Sequence, residues 1–444
     1  MATAAPAPPP SPPDAFTPLL LTGEFDYALD RFESGGHLFL TGRAGTGKST
    51  LLGLLRRTTR RRLAVLAPTG VAALNVRGQT LHSFFSWPGK LLRREDVKRS
   101  RKRGLYERLE TLVIDEVSMV RADLLDRVDE FLRLNRDRPA EPFGGVQLVL
   151  VGDLFQLPPV VASPGERSLF EGEHAQYPSP HFFDAHVWRE ADLEMIELNR
   201  VFRQAARRFV RLLDAVREGH FDEDDLVDLN TRAVTEAAYG PGPAITLTAT
   251  NRLADVINQR ALARLTAAPQ RYVGTLEGRF DSRNLPADLA LALKPGAQVM
   301  FVRNDPERRF VNGSIGVVAQ AEPEHVVVRL EEEGRARDVE VGQETWENVR
   351  YGLDADTGRI TEEVTGSFRQ YPLKLAWAIT IHKSQGKTFE RMQLDLGRGA
   401  FEHGQTYVAL SRSRTLEGIR LVRPLRARDI LVDERVGAWY NSHR

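Results

Sequence analysis

The stretch HLFLTGRAGTGKST, from His37 to Thr50, constrains this chain more than any other. It sets Gly42, Gly47, Lys48 and Ser49 in the spacing G-x4-G-K-S, directly after an apolar run of strand length and directly before a leucine-rich segment. Strand, glycine-rich loop and helix is the context in which this spacing cradles a triphosphate. The glycines let successive backbone N–H groups close around phosphate oxygens. Lys48 supplies a point charge at the β- and γ-phosphates, Ser49 a hydroxyl for Mg²⁺, and the following helix turns its positive N-terminus toward the anion. The expected nucleotide contacts are Gly42, Ala44, Gly45, Thr46, Gly47, Lys48, Ser49 and Thr50.

Machinery for hydrolysis follows. Thr111–Asp115 reads as a second buried strand, ending in Asp115 and Glu116. A carboxylate at such a strand end suits hydrated Mg²⁺, and its neighbour can orient or deprotonate the attacking water. Gly145–Gln156 is a third apolar strand that ends in Gly152, Asp153 and Gln156. Ligands of an open parallel sheet sit at the carboxyl ends of its strands, where Gln156 can sense a γ-phosphate or its water.

The chain has 444 residues, 42% hydrophobic, with a formal net charge of +1. That length implies two to four domains, and any nucleic-acid site must come from local charge. There is no cysteine, which excludes disulfides, Cys-ligated zinc and iron–sulfur clusters. No run approaches the length of a membrane span. Residues 1–16 read as a disordered Ala/Pro tail rather than a secretory signal. Eight of the 61 basic residues are lysine, a bias that reflects a GC-rich genome. The expected setting is the bacterial cytoplasm, near the nucleoid.

Strands at His37–Thr41, Leu63–Ala67, Thr111–Asp115 and Val146–Gly152 alternate with helical stretches, which predicts a parallel sheet covered on both faces over residues 17–198. Phe202–Arg217 predicts an amphipathic helix, Ile245–Thr250 a strand and Asn251–Leu265 a helix. Val299–Arg303, Gly316–Ala319, His325–Leu330 and Asp338–Val341 look like short antiparallel strands, within a β-rich insert spanning 270–368. Leu373–Thr380 returns to one long apolar strand. A second α/β domain over 199–269 and 369–444, interrupted by a small β-barrel, is the expected arrangement.

Six ordered blocks carry a family resemblance: APTGVAALNVRGQTLHSF (67–84), DEVSMVRADLLDRVDEFLR (115–133), GVQLVLVGDLFQLPP (145–159), LNRVFRQ (198–204), AWAITIHKSQGKTF (376–389) and GQTYVALSRSR (404–414). Together with the phosphate loop they resemble the superfamily-one helicases of the PIF/RecD type, closest to the PIF branch. The resemblance implies two RecA-like lobes with ATP and Mg²⁺ in the cleft between them and single-stranded DNA across the top. It assigns Lys48, Ser49, Asp115, Glu116 and Gln156 to the first-lobe ATPase site, with Gly386 beside the nucleotide. Arg203 and Arg412 match the arginines that reach across from the second lobe, where a cation stabilises charge on the transferring phosphoryl group. Thr69, Asn75 and His82, with His382, Lys383 and Ser384, fall in DNA-contacting blocks, and such side chains suit phosphate contacts.

Phe84, Phe85 and Trp87 either stack on bases or form core with only Trp87 exposed. The basic stretch within residues 85–108 sits where the family inserts a small subdomain near the point of strand separation. The chain departs from the family at the glutamine that recognises adenine: no Gln precedes the loop, and Asp26 stands near the expected place. The reading is an ATP-dependent helicase moving 5′ to 3′ on single-stranded DNA, acting on forked or structured DNA, with a monomer favoured. The alternatives are an RNA or RNA–DNA remodelling helicase, a non-catalytic DNA-binding module, or the motor subunit of a nuclease complex.

Overall fold

A computed structural model describes residues 22–88, 91–235, 243–280, 285–307, 309–332, 335–354, 357 and 359–443. The predicted tail at 1–16 lies outside the described residues, as does Lys90 of the basic stretch.

Six strands form the first sheet: β1 (His37–Gly42), β2 (Leu63–Ala67), β3 (Gln79–Thr80), β4 (Thr111–Ile114), β5 (Gln147–Val151) and β6 (Leu193–Leu198), in the order β3-β2-β4-β5-β1-β6 and parallel throughout. β2, β4 and β5 are near-continuous runs of buried apolar residues, as strands covered on both faces must be. β1 and β4 are neighbours of β5, so the phosphate loop after β1, Asp115 after β4 and Asp153 after β5 emerge side by side at one edge.

The second parallel sheet joins β7 (Ile245–Thr248) to β18 (Ala378–Thr380), β19 (Met392–Asp395) and β20 (Ile419–Leu421), in the order β18-β7-β19-β20. The predicted helix at Phe202 begins later, at Arg207, and runs to Glu218. Residues Phe202–Ala206 are non-helical, and the side chains of Arg203 and Gln204 are bonded to the carbonyl of Ser411. Between β7 and β18 lie three smaller sheets. β8 (Gln270–Val273) pairs with β10 (Ala290–Leu293), and β9 (Thr275–Gly278) pairs with a long hairpin of β15 (Glu344–Leu353) and β16 (Ile360–Gln370). The third contains β11 (Gln298–Phe301), β12 (Ile315–Glu322), β13 (His325–Glu332), β14 (Arg335–Val341) and β17 (Leu373–Leu375), in the order β14-β13-β12-β11-β17. Its two ends do not pair, so the expected closed barrel is an open antiparallel sheet.

The segment predicted as one strand over Leu373–Thr380 is divided. Its first three residues pair antiparallel with β11, while Ala378–Thr380 pair parallel with β7.

Neither reading of the aromatic run at 84–87 holds. Phe84, Phe85 and Trp87 are all buried. Phe85 stacks on Trp87 at 4.6 Å, Tyr106 and Phe131 pack against them, and the Tyr106 hydroxyl donates to the Phe84 carbonyl at 2.9 Å. Phe84 also meets Tyr351 of β15, whose hydroxyl accepts from the Val65 N–H at 3.1 Å. These rings fix the long hairpin to the first sheet and leave none free to stack on a base. Trp87→Ala is therefore expected to lower stability by about 3–5 kcal/mol, read as a fall in the denaturation midpoint. Single-strand affinity of the folded variant should stay near wild type; a selective loss of affinity without loss of stability would restore the stacking role.

Candidate nucleotide site between the lobes

A cleft of about 670 Å³ opens where the two parallel sheets face each other. One wall is Ala44–Thr50 with Glu116 and Gln156; the other carries Arg203, Gly386, Thr388, Arg412 and Arg414. Gly42, Gly45 and Gly47 all have positive φ, at 144°, 85° and 91°. Gly47 also leaves no room for a side chain, since a Cβ would stand 2.9 Å from the Phe25 ring. The helix Lys48–Thr58 starts directly from it and buries Leu51, Leu52 and Leu55. Lys48 Nζ donates to the carbonyls of Gly42 and Arg43 at 2.6 and 3.0 Å. Burial works against its charge, while Asp153 and Glu116 support it.

Asp115 closes β4 and is buried; Glu116, next along, takes a left-handed backbone (φ 52°). That conformation is costly for a non-glycine residue and concentrates at functional sites; here it turns the chain so that Glu116 faces the cleft. Burial, with the charge of Glu116 adding to it, pushes the Asp115 carboxyl up to about 7. Burial raises Glu116 as well, partly offset by Lys48 and Arg412.

Arg412 is buried, with Nε donating to the Val408 carbonyl at 2.9 Å and Nη2 to Ser411 Oγ at 2.8 Å. Arg203 Nη1 donates to the Ser411 carbonyl at 3.1 Å. Burial disfavours both cations, and for Arg203 the charge of Arg412 adds to this. A guanidinium keeps its proton in proteins; Glu116 and Asp153 support the Arg412 charge, and an anion entering the cleft would support both cations further. Lys48, Arg203 and Arg412 thus face a space shaped for a polyanion. Ser49 with Asp115 and Glu116 supplies a hydroxyl and two carboxylates suited to a divalent cation. No group of three or more acidic or histidine side chains able to hold a metal exists among the described residues, so such a cation would need phosphate oxygens as co-ligands.

Asp153, named in the sequence only as a strand end, ties the walls together with Arg217 and Tyr407, to which sequence reading assigned no role. Asp153 accepts from Gln156 Nε2 at 3.3 Å and from the Tyr407 hydroxyl at 3.0 Å. It also pairs at 3.2 Å with Arg217, both side chains being fully buried. Burial opposes the Asp153 charge, but Arg217 and Lys48 outweigh it and hold the carboxyl below its usual range. The Tyr407 hydroxyl in turn accepts the Ala44 N–H at 3.0 Å, inside the phosphate loop. Tyr407 lies within the sixth block and could have been found there. Arg217, at the end of an amphipathic helix, gave no signal. At Gly404, which caps the helix Gln405–Leu410, a Cβ would stand 2.4 Å from the Phe155 carbonyl, and φ is 71°, so only glycine lets that helix approach the strand end.

The expected DNA contacts are less uniform. Asn75 and Lys383 are exposed; Thr69, His82 and His382 are half-buried. Thr69 caps the helix Gly70–Asn75, and His382 lies 3.0 Å from Glu402. Ser384 is buried, its hydroxyl spent on the Ile381 carbonyl at 2.6 Å, and is not available to a phosphate. Asp26 is exposed and away from the cleft; the residue of its helix that lines the cleft is Phe25.

A family profile described as PIF1-like helicase matches residues 25–226. The chain is 34% identical over 414 residues to the ATP-dependent DNA helicase PIF1 of Danio rerio, covering 90% of this chain and 61% of that one. It is 33% identical over 439 residues to the ATP-dependent DNA helicase Pif1 of Bdellovibrio bacteriovorus, covering 95% and 92%. This chain belongs to the PIF1-like helicase family. The crystal structure of Bacteroides Pif1 in complex with ADP-AlF4 superposes with a TM-score of 0.87 at 34% identity, over 96% of this chain and 97% of that one. The same Bacteroides Pif1 bound to single-stranded DNA superposes at 0.68. Two RecA-like lobes, as in those PIF1-family structures, account for both parallel sheets.

Two measurements probe the site. A carboxyl raised above its usual 3.8 to about 7 favours the fold only while protonated, so nucleotide-free protein loses stability as pH rises through that interval. Asp115→Asn should then melt a few degrees above wild type at pH 8 in chelator, with the gap narrowing toward pH 5; equal melting at pH 8 would contradict the shift. Arg217→Met leaves Asp153 buried and unpaired and should cost about 3–5 kcal/mol in denaturant titrations.

Proposed function

We propose that this chain is an ATP-dependent DNA helicase that couples hydrolysis in the interlobe cleft to movement along single-stranded DNA, 5′ to 3′, on forked or structured substrates. The observation that carries the reading is the convergence of Lys48, Glu116, Arg203 and Arg412 on one cleft whose walls belong to different lobes. The DNA-bound form of Bacteroides Pif1 supports single-stranded DNA as the track. The residues to about 198 would form the first lobe, and 199–269 with the chain from about 376 the second. No feature favours RNA over DNA, and the full set of cleft cations and Glu116 argues against a non-catalytic module.

In this reading the loop amides and Lys48 bind the β- and γ-phosphates, and Glu116 takes the proton of the attacking water. Ser49 and Asp115 would hold Mg²⁺, which supplies charge neutralisation on the phosphate oxygens. Gln156, fixed by Asp153, positions the water or the γ-phosphate. Arg203 and Arg412 stabilise charge on the transferring group, and because they come from the second lobe, hydrolysis requires closure. Thr69, Asn75, His82, His382 and Lys383 would contact the DNA backbone, with exposed Lys98 and Arg101 adding charge. Arg99 and Arg103 are drawn off by Asp137.

The test is ATP hydrolysis with and without single-stranded DNA, and again with single-stranded RNA. Strong stimulation by DNA alone is expected; equal stimulation by RNA would favour the remodelling alternative. Arg412→Ala should lower kcat on the order of 10³-fold with little change in ATP affinity. A kcat within a few-fold of wild type would remove Arg412 from the chemistry.

A further inference from the structure

The two ends of the cleft differ in chemistry. Lys48, Glu116, Gln156, Arg203 and Arg412 gather at one end. The other, beyond Gly47, is walled by two phenylalanines. Phe25 is buried, its Cζ 2.9 Å from where a Gly47 Cβ would stand. Phe202 approaches the same point to 3.7 Å and is 46% exposed, with the Arg200 guanidinium 5.2 Å above its ring. A nucleoside whose phosphates occupy the loop has to leave past this pair.

Among the described residues, most polar side chains near this end are already engaged, Arg200 lying over the Phe202 ring. The Thr22 hydroxyl accepts the Phe25 N–H at 3.4 Å. Glu24 accepts from the Asn199 backbone and side-chain amides, both at 3.2 Å. Tyr27 and Arg31 are bonded to Glu194, each at 2.6 Å. Arg414, on the opposite wall, pairs with Glu390 at 2.9 Å. The chain has no Asn or Gln before Asn75, and among the described residues the carboxamide lining the cleft, Gln156, is at the phosphate end on Asp153. Thr388 offers a hydroxyl, which donates or accepts with equal ease and so suits amino-bearing and carbonyl-bearing bases alike.

Sharp discrimination between bases needs buried polar groups that a wrong base leaves unpaired. A stacking wall offers none, because every base has a π-face. We infer that this protein selects its nucleotide by the triphosphate and by stacking on the exposed ring of Phe202, and hydrolyses GTP, CTP and UTP as well as ATP. The inference rests on the cleft being the nucleotide site, as proposed above.

Steady-state kcat/KM of the full chain, with single-stranded DNA present, is measured for ATP, GTP, CTP and UTP. All four values are expected within about ten-fold of one another; an ATP lead larger than that overturns the inference, since amide-read sites discriminate by far more. If ATP itself is not hydrolysed, the functional reading fails instead, so the two failures are separable. Phe25→Gln places an amide on this wall and should raise the ATP preference over GTP by about ten-fold or more. Phe202→Leu should lower kcat/KM for all four nucleotides in parallel. A loss confined to ATP in Phe202→Leu would mean that this wall reads adenine, and would overturn the inference.

Discussion

The ion pair between Asp153 and Arg217 is the contact on which the interlobe site depends. Both side chains are shielded from water, and an isolated charge in such a place is strongly unfavourable. Asp153 follows a strand of the first sheet; Arg217 comes from the helix Arg207–Glu218 and packs over Phe155 and Tyr440 at 4.2 and 5.1 Å. Separating the lobes here would strand a carboxylate and a guanidinium together. The same carboxylate receives the Tyr407 hydroxyl, which holds Ala44 of the phosphate loop. The loop is therefore positioned from across the cleft, through one phenol, as well as by its own glycines.

Around that fixed contact the remaining charges are unbalanced. Arg412 is buried and Arg203 half-buried among backbone carbonyls and hydroxyls, while Asp115 and Glu116 hold carboxyls raised by burial. Lys48 and Arg412 offset part of the Glu116 shift, and Glu116 and Asp153 support the Arg412 charge. A triphosphate with its cation would add partners to both sets. Among the Bacteroides Pif1 structures, the unliganded and ADP-AlF4 forms match this chain at 0.85 and 0.87, and the forms bound to single-stranded DNA at 0.68, with or without a nucleotide analogue.

Much of this was legible in the residues. The phosphate loop, Asp115, Glu116 and the strands that carry them follow from local pattern, since apolar runs between glycine-rich turns have few alternatives. Arg203 and Arg412 were found only through their blocks, because an isolated arginine carries no sign of where it points. The aromatic run at 84–87 was misread: its partners Phe131 and Tyr351 are distant in sequence, and only the tertiary fold shows that the rings are covered. The sequence puts Asp26 near the place expected for the base-reading glutamine, whereas helical geometry turns Phe25 to the cleft. Arg217 could not be found at all, because its partner is 64 positions away. The division of Leu373–Thr380 was hidden for a related reason, as both halves are equally apolar.

That division has a mechanical consequence. Only Ala376 and Trp377 separate the strand that joins the antiparallel sheet from the strand that joins the second lobe. The Ala376 N–H donates to the Gln298 carbonyl at 3.0 Å, and the Trp377 carbonyl accepts from the Thr246 N–H at 2.8 Å. Gln298 adds side-chain bonds to the carbonyls of Ala244 and Ala376. This connection is an axle pinned on both sides rather than a tether. The antiparallel sheet is thus carried at its root by the second parallel sheet, through main-chain bonds on either side of a two-residue link.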